Sequence, residues 1–111
     1  MKNLFMDLPA ALPEELIEVI GGSGDVRIER IVSHGHSSPE GFWYDQDGDE
    51  FVLLVSGRAT LEFEDHEIVL NPGDYLNIAA HQKHRVKWTS GEETTIWLVV
   101  HYVDREVCPG E

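Results

Sequence analysis

From Val26 to Tyr102 the chain is a succession of short β-type segments separated by turn residues, with no stretch of helical period long enough to interrupt them. The segments run over residues 26–34, 50–56, 58–64, 66–70, 74–79, 84–89 and 94–102. The breaks at Ser56-Gly57, Glu64-Asp65, Asn71-Pro72-Gly73 and Ser90-Gly91 carry hairpin or turn chemistry. Seven short strands in so small a span point to an all-β sandwich or barrel. With 111 residues the chain holds one domain with one modest core. We divide it into an amino-terminal arm over residues 1–24, a barrel over 25–104 and a tail over 105–111.

The arm reads as a short helix over Leu12 to Gly21. Pro13 suits the first helical position, Glu14 and Glu15 oppose the dipole there, Leu12, Leu16 and Ile20 share a face, and Gly21 can close the element. Gly21-Gly22-Ser23-Gly24 then breaks the chain before the first barrel strand. Phe51 to Val55 and Ile96 to Val100 are apolar on both strand faces. A lone barrel should be polar outside, so a cover is expected there, most simply a second copy in a homodimer.

Composition excludes several classes of function. Hydrophobic residues at 41% and charged residues at 26% exclude a disordered or fibrous chain. Eight Lys plus Arg against 21 Asp plus Glu leave a formal charge of -13, which repels nucleic acid and anionic lipid alike. Cys108 alone can form neither an internal disulfide nor a thiolate cluster. The first twenty residues carry early acids and two prolines in place of a basic start and an unbroken apolar run, so a cytoplasmic protein is expected.

The chemistry concentrates in the histidines, of which there are six. At a strand end His34 and His36 point to one face and can bind one ion together, although an H-x-H pair is weak by itself. It gains company from Glu50 at the head of an apolar strand, from Gly57 seven residues later, and from Gly73, Ala79, His81 and His84 in the segment Pro72 to Val86. Glu40 and Gln46 are rival donors for the place given to Glu50.

This order resembles the cupin family. Its first motif runs H-x-H, a few residues, E, six residues, G, and its second runs G, five residues, P-x-G-x-x-H. The resemblance covers residues 26 to 102 and implies a small jelly-roll barrel. His34, His36, Glu50 and Gly57 would form the first motif, and Gly73, Ala79, His81 and His84 the second. Departures are plain: Ala79 stands for the proline, His81 for the second glycine, Trp88 for the asparagine that often closes the second motif, and Ile28 for the glycine that opens the first. Thirteen residues separate His36 from Glu50 where the family usually has three or four, so Ser37 to Asp49 is an insertion.

The implied site is a divalent transition metal held by His34, His36, Glu50 and His84. Such a borderline donor set suits iron, manganese, nickel, zinc or copper and leaves positions open for water or substrate. Phe42, Trp43 and Tyr44 crowd the insertion, so the loop should fold back on the barrel or pack on a partner. If it covers the mouth, Tyr44 and Gln46 become ligand contacts. Arg30 shares the parity of His34 and can meet an anionic ligand or form an outward ion pair. His101 faces either the cavity or a partner, and His66 is solvated at a hairpin tip. Two functions are expected. One is a metal-dependent enzyme on a small organic molecule, of oxygenase, isomerase or cyclase type, with Tyr44 or His81 as acid–base candidates. The other is a non-catalytic cavity that binds a small ligand or stores metal.

Overall fold

The computed structural model of the chain describes residues 1–103. Cys108 and the tail over 105–111 lie outside the described residues. The strands are β1 (Leu16–Ser23), β2 (Val26–Ser33), β3 (Asp49–Ser56), β4 (Ala59–Phe63), β5 (Glu67–Leu70), β6 (Tyr75–Ile78), β7 (His84–Thr89) and β8 (Thr95–Tyr102). They form an antiparallel five-stranded sheet in the order β1-β2-β8-β3-β6 and a three-stranded sheet in the order β5-β4-β7. This is the all-β jelly roll that the family resemblance implies, and seven of the eight strands fall where the alternating segments lie.

The exception corrects the expected helix. No helix occurs among the described residues, and the segment read as one is the edge strand β1. Ile17, Val19 and Ile20 are β-branched and fit a pleated surface better than a helix interior. Gly24 at φ 59° turns the chain so that Leu16 to Ser23 pair along β2, from Leu16 opposite Val32 to Ser23 opposite Val26. Forming a ladder on an open edge of the sheet outweighs the helical spacing of three leucine-type positions. No helix of the described residues is long and apolar enough to cross a membrane.

The two sheets close on one core. Val52, Leu54, Ile78, Trp97 and Val99 of the larger sheet meet Ala59, Leu61, Phe63 and Leu70 of the smaller one, all at most 4% exposed. Burying each large aliphatic or aromatic member contributes about 1.5–3 kcal/mol. On the outer face, Phe51, Leu53, Leu98 and Val100 stay half-buried. Part of that face is covered by the chain's own amino-terminal segment: buried Val32 lines a crevice with Leu8, Pro9 and Leu12. Gly57 makes the β3–β4 turn at φ 88°, where a Cβ would stand 2.2 Å from Thr95 Oγ1.

Candidate functional site

Between the sheets lies a cavity of about 190 Å³. Its floor and walls are mostly apolar, with Ile31, Val52, Leu61, Ile78 and Val99 among them. Into this surround the strands project a small set of polar side chains. Arg27 and Glu29 come from β2, Glu50 from β3, His84 from β7 and His101 from β8, while Glu15 precedes β1. Tyr44 and Gln46 reach it from the long loop before β3.

Glu50 and His84 meet across the sheets. His84 Nε2 lies 3.2 Å from Glu50 Oε1, and the two side chains are 6% and 11% exposed. The contact is close but poorly aligned, for Glu50 Oε1 is buried without a partner in hydrogen-bond geometry. The other ring nitrogen, Nδ1, is 2.9 Å from the Gln82 carbonyl. A carbonyl only accepts, so Nδ1 carries the hydrogen and Nε2 faces the carboxylate. Burial pushes the His84 pKa down, but contact with Glu50 and the Gln82 carbonyl outweighs it, and the net displacement is upward. The Tyr44 hydroxyl is held above its ordinary pKa, by burial first and then by Glu15, Glu50 and Glu29, so it remains a proton donor.

A second carboxylate–imidazole pair lines the same cavity. Glu29 accepts from Arg27 Nε at 2.8 Å and stands 3.0 Å from His101 Nε2. Glu15 accepts the Ser33 hydroxyl at 2.7 Å, and Ser33 also meets the Trp97 indole N–H at 3.3 Å. Reading the sequence passed over Glu15, Arg27 and Glu29 and left His101 open between cavity and partner. The signal for β2 was its other parity: Arg27, Glu29 and Ile31 alternate inward.

The loop over 37–48 is stitched to β7. Tyr44 and His84 exchange backbone bonds of 2.7 and 3.2 Å, and the Ser38 N–H donates to Val86 at 2.8 Å. Arg85 fastens the rest, reaching the carbonyls of Phe42 at 3.2 Å and Ser38 at 3.0 Å and the Glu62 carboxylate at 2.9 Å. Tyr44 stacks on His84 with ring centroids 5.3 Å apart and meets Phe42 edge-on at 4.8 Å. At the rim, His81 adopts a left-handed φ of 63°, and its Nδ1 is 2.8 Å from Asp45 while its N–H donates to the Gln46 carbonyl at 2.8 Å. His66 is exposed beside Asp65.

The four residues expected to share a metal are not gathered. β2 ends at Ser33, and His34, exposed, lines the outer crevice against Leu8 and Leu12 instead of the cavity. Gly35 turns at φ 80°, and His36 Nδ1 accepts the backbone N–H of His34 at 2.9 Å. Arg30 shares that outward parity; nearly buried, it meets Glu18 at 2.6 Å and the carbonyls of Leu4 and Met6 at 3.0 and 2.7 Å, so it anchors the amino-terminal segment and does not reach the cavity. Among the described residues, no three His, Cys, Asp or Glu side chains are arranged to hold an ion. Glu50 and His84 supply two donors where a resident transition metal takes three or four from the protein, so the donor set does not fit that ion. Counted back from Glu50 at a spacing of three, the H-x-H positions fall on Tyr44 and Gln46. These two line the cavity that His34 and His36 do not.

A family model described as a cupin domain matches residues 28–101. No curated protein matches the chain. Among solved structures, a protein of Ralstonia eutropha JMP134, provisionally named a mannose-6-phosphate isomerase, is 45% identical with a TM-score of 0.89, over 94% of this chain and 98% of its own. A cupin superfamily protein of Desulfitobacterium hafniense DCB-2 is 24% identical with a TM-score of 0.72, over 87% and 84% of the two chains. A cupin-2 domain containing protein of Shewanella frigidimarina is 19% identical with a TM-score of 0.63, over 78% and 79%. The last two speak to the fold alone.

Proposed function

The chain belongs to the cupin domain family, and from that premise we propose that its barrel cavity takes up a small organic molecule and moves a proton on it, chemistry of the isomerase type. The observation that carries this reading is the buried Glu50–His84 pair at the cavity wall, 3.2 Å apart. General acid–base catalysis asks for a positioned group that can give and take a proton, and a buried histidine facing a carboxylate, its pKa raised from the ordinary value, is such a group. The Gln82 carbonyl fixes the ring, so Nε2 is the atom that gives and takes the proton. Glu50 balances the charge on the protonated ring. Tyr44, kept protonated by burial and the surrounding carboxylates, donates to oxygen on the bound molecule where negative charge develops. Gln46 beside it contributes a neutral amide that orients the ligand. The provisional name of the 45% identical relative, an isomerase, supports the same reaction type.

The oxygenase and cyclase types stay with the metal reading, and that reading rests on Glu50 and His84 alone among its four residues. We further read the protein as a cytoplasmic homodimer. Half-buried Phe51, Leu53, Leu98 and Val100 on the outer sheet face support pairing, which sedimentation would test.

The test of the function is solvent exchange. Small-metabolite mixtures are incubated with the protein in deuterium oxide and followed by NMR for deuterium at carbon. Incorporation that disappears in His84→Gln supports the reading. Binding without any exchange refutes catalysis and leaves a non-catalytic cavity binder.

A further inference from the structure

We infer that the molecule taken by this cavity is a small organic ammonium compound with a compact apolar body, and that carboxylates and phosphate esters are turned away. This rests on the proposed reading of the cavity as the ligand site and names its ligand class. Three carboxylates, Glu15, Glu29 and Glu50, line the cavity, against one permanently charged cation, Arg27. Arg27 spends its Nε on Glu29, at 2.8 Å. His101 stands against the other oxygen of the same carboxylate, at 3.0 Å. Glu15 has a neutral hydroxyl, that of Ser33, as its partner. Glu50 Oε1 is buried beside His84 with no aligned donor.

While His84 is neutral, with its hydrogen on Nδ1, a buried carboxylate oxygen in that condition is unfavourable until something supplies a hydrogen and a positive charge. An ammonium group supplies both. A phosphate or carboxylate supplies neither and adds a like charge next to Glu15 and the buried Glu50. The rest of the lining agrees: Ile31, Val52, Ile78 and Val99 accept an apolar body, and the aromatic residues Tyr44 and Trp97, of a kind whose rings attract cations, line it too. The volume of about 190 Å³ suits a ring compound somewhat larger than benzene, which fills an engineered cavity of about 150 Å³. The formal charge of -13 draws cations toward the whole molecule. Arg30, the guanidinium that the sequence offered to an anionic ligand, is spent on Glu18 and the amino-terminal segment. The cavity therefore argues against a phosphorylated sugar as ligand here, whatever the relative from Ralstonia eutropha binds.

Calorimetric titration of the untagged full chain with benzylamine, benzyl alcohol, benzoate, mannose and mannose 6-phosphate tests the inference. We expect benzylamine to bind at least tenfold more tightly than benzyl alcohol, with no heat from benzoate or mannose 6-phosphate. The preference for the amine should shrink to less than about threefold in Glu50→Gln, the loss of one charged acceptor. Ile31→Trp, which fills the cavity, should abolish binding, and Gln46→Trp at the loop serves if that variant does not fold. Benzoate or mannose 6-phosphate binding as tightly as benzylamine overturns the ligand class. If that binding is lost in the filled cavity, the cavity reading survives it. Binding of no probe, or binding unchanged in both filled-cavity variants, overturns the cavity reading and the ligand class together.

Discussion

Replacing Glu50 by glutamine should make the stability of the protein depend on pH in a way that exposes the state of His84. Below the ordinary imidazole pKa of about 6.5, His84 is protonated in folded and unfolded chains alike, and the folded ring faces the Glu50 carboxylate at 3.2 Å. A hydrogen bond to a charged group contributes about 1.5–3 kcal/mol and a neutral one about 1 kcal/mol. Since this contact is imperfectly aligned, Glu50→Gln forfeits up to about 1 kcal/mol at pH 6, or up to about 4 °C in melting temperature for a domain of this size. Because the fold raises the His84 pKa, the pair's contribution is complete below the ordinary value and is lost as pH rises through the raised one. Once the ring is neutral, Nδ1 still donates to Gln82, so Nε2 presents a lone pair to a carboxylate that has no hydrogen to give. The introduced amide can donate to that lone pair. The variant should then equal the parent or exceed it by up to about 1 kcal/mol near pH 9. Thermal melts of both proteins from about pH 6 to pH 9 read the difference, in which titrations common to both proteins cancel. Parallel curves across that range would refute the assignment of the charged pair and of the Nδ1 hydrogen.

Three further outcomes are expected. Arg85→Ala should cost about 2 kcal/mol through its lost contacts to Glu62 and to the Ser38 and Phe42 carbonyls; hydrogen exchange should quicken at the amides of Ser38 and Tyr44 while β3 and β8 stay protected. Gly57→Ala should destabilise by more than about 2 kcal/mol, read by chemical denaturation, because a side chain at φ 88° is strained and its Cβ meets Thr95. Manganese, iron(II), nickel or zinc added to chelator-treated protein should leave its melting temperature unchanged; a resident site at a hundredfold excess over its Kd would stabilise by about 2.7 kcal/mol, and a rise of that size would restore the metal reading.

Strand positions were legible because each barrel strand combines a half-buried pattern with turn residues at both ends, information that is local in sequence. The edge strand was not. Leu12, Leu16 and Ile20 have helical spacing, and what decides against a helix is distant: the unpaired edge of β2, which Leu16 to Ser23 satisfy through a full antiparallel ladder. The outer cover was half legible. Apolar outer faces announced that something must lie on them, yet the part that covers Val32 is the chain's own Leu8 to Leu12 segment.

Of the four residues expected at the site, Glu50 and His84 line the cavity and His34 and His36 do not, for one reason. β2 carries charge on both faces, Arg27 and Glu29 on one and Arg30 on the other, so its alternation cannot say which face is inside. Taking His34 and His36 as the inward pair placed the insertion between them and Glu50, and put Arg30 inside with them. In the structure the inward parity belongs to Arg27, Glu29 and Ile31. The long loop instead delivers Tyr44 and Gln46 to the cavity, three residues ahead of Glu50, where a pair of imidazoles was sought. That exchange changes what the cavity can hold. Two imidazoles with Glu50 and His84 would make an ion site; a protonated phenol and an amide with the same two residues offer hydrogen bonds in place of lone-pair donors, and the Glu50 charge faces either the protonated His84 ring or a cation that enters while that ring is neutral.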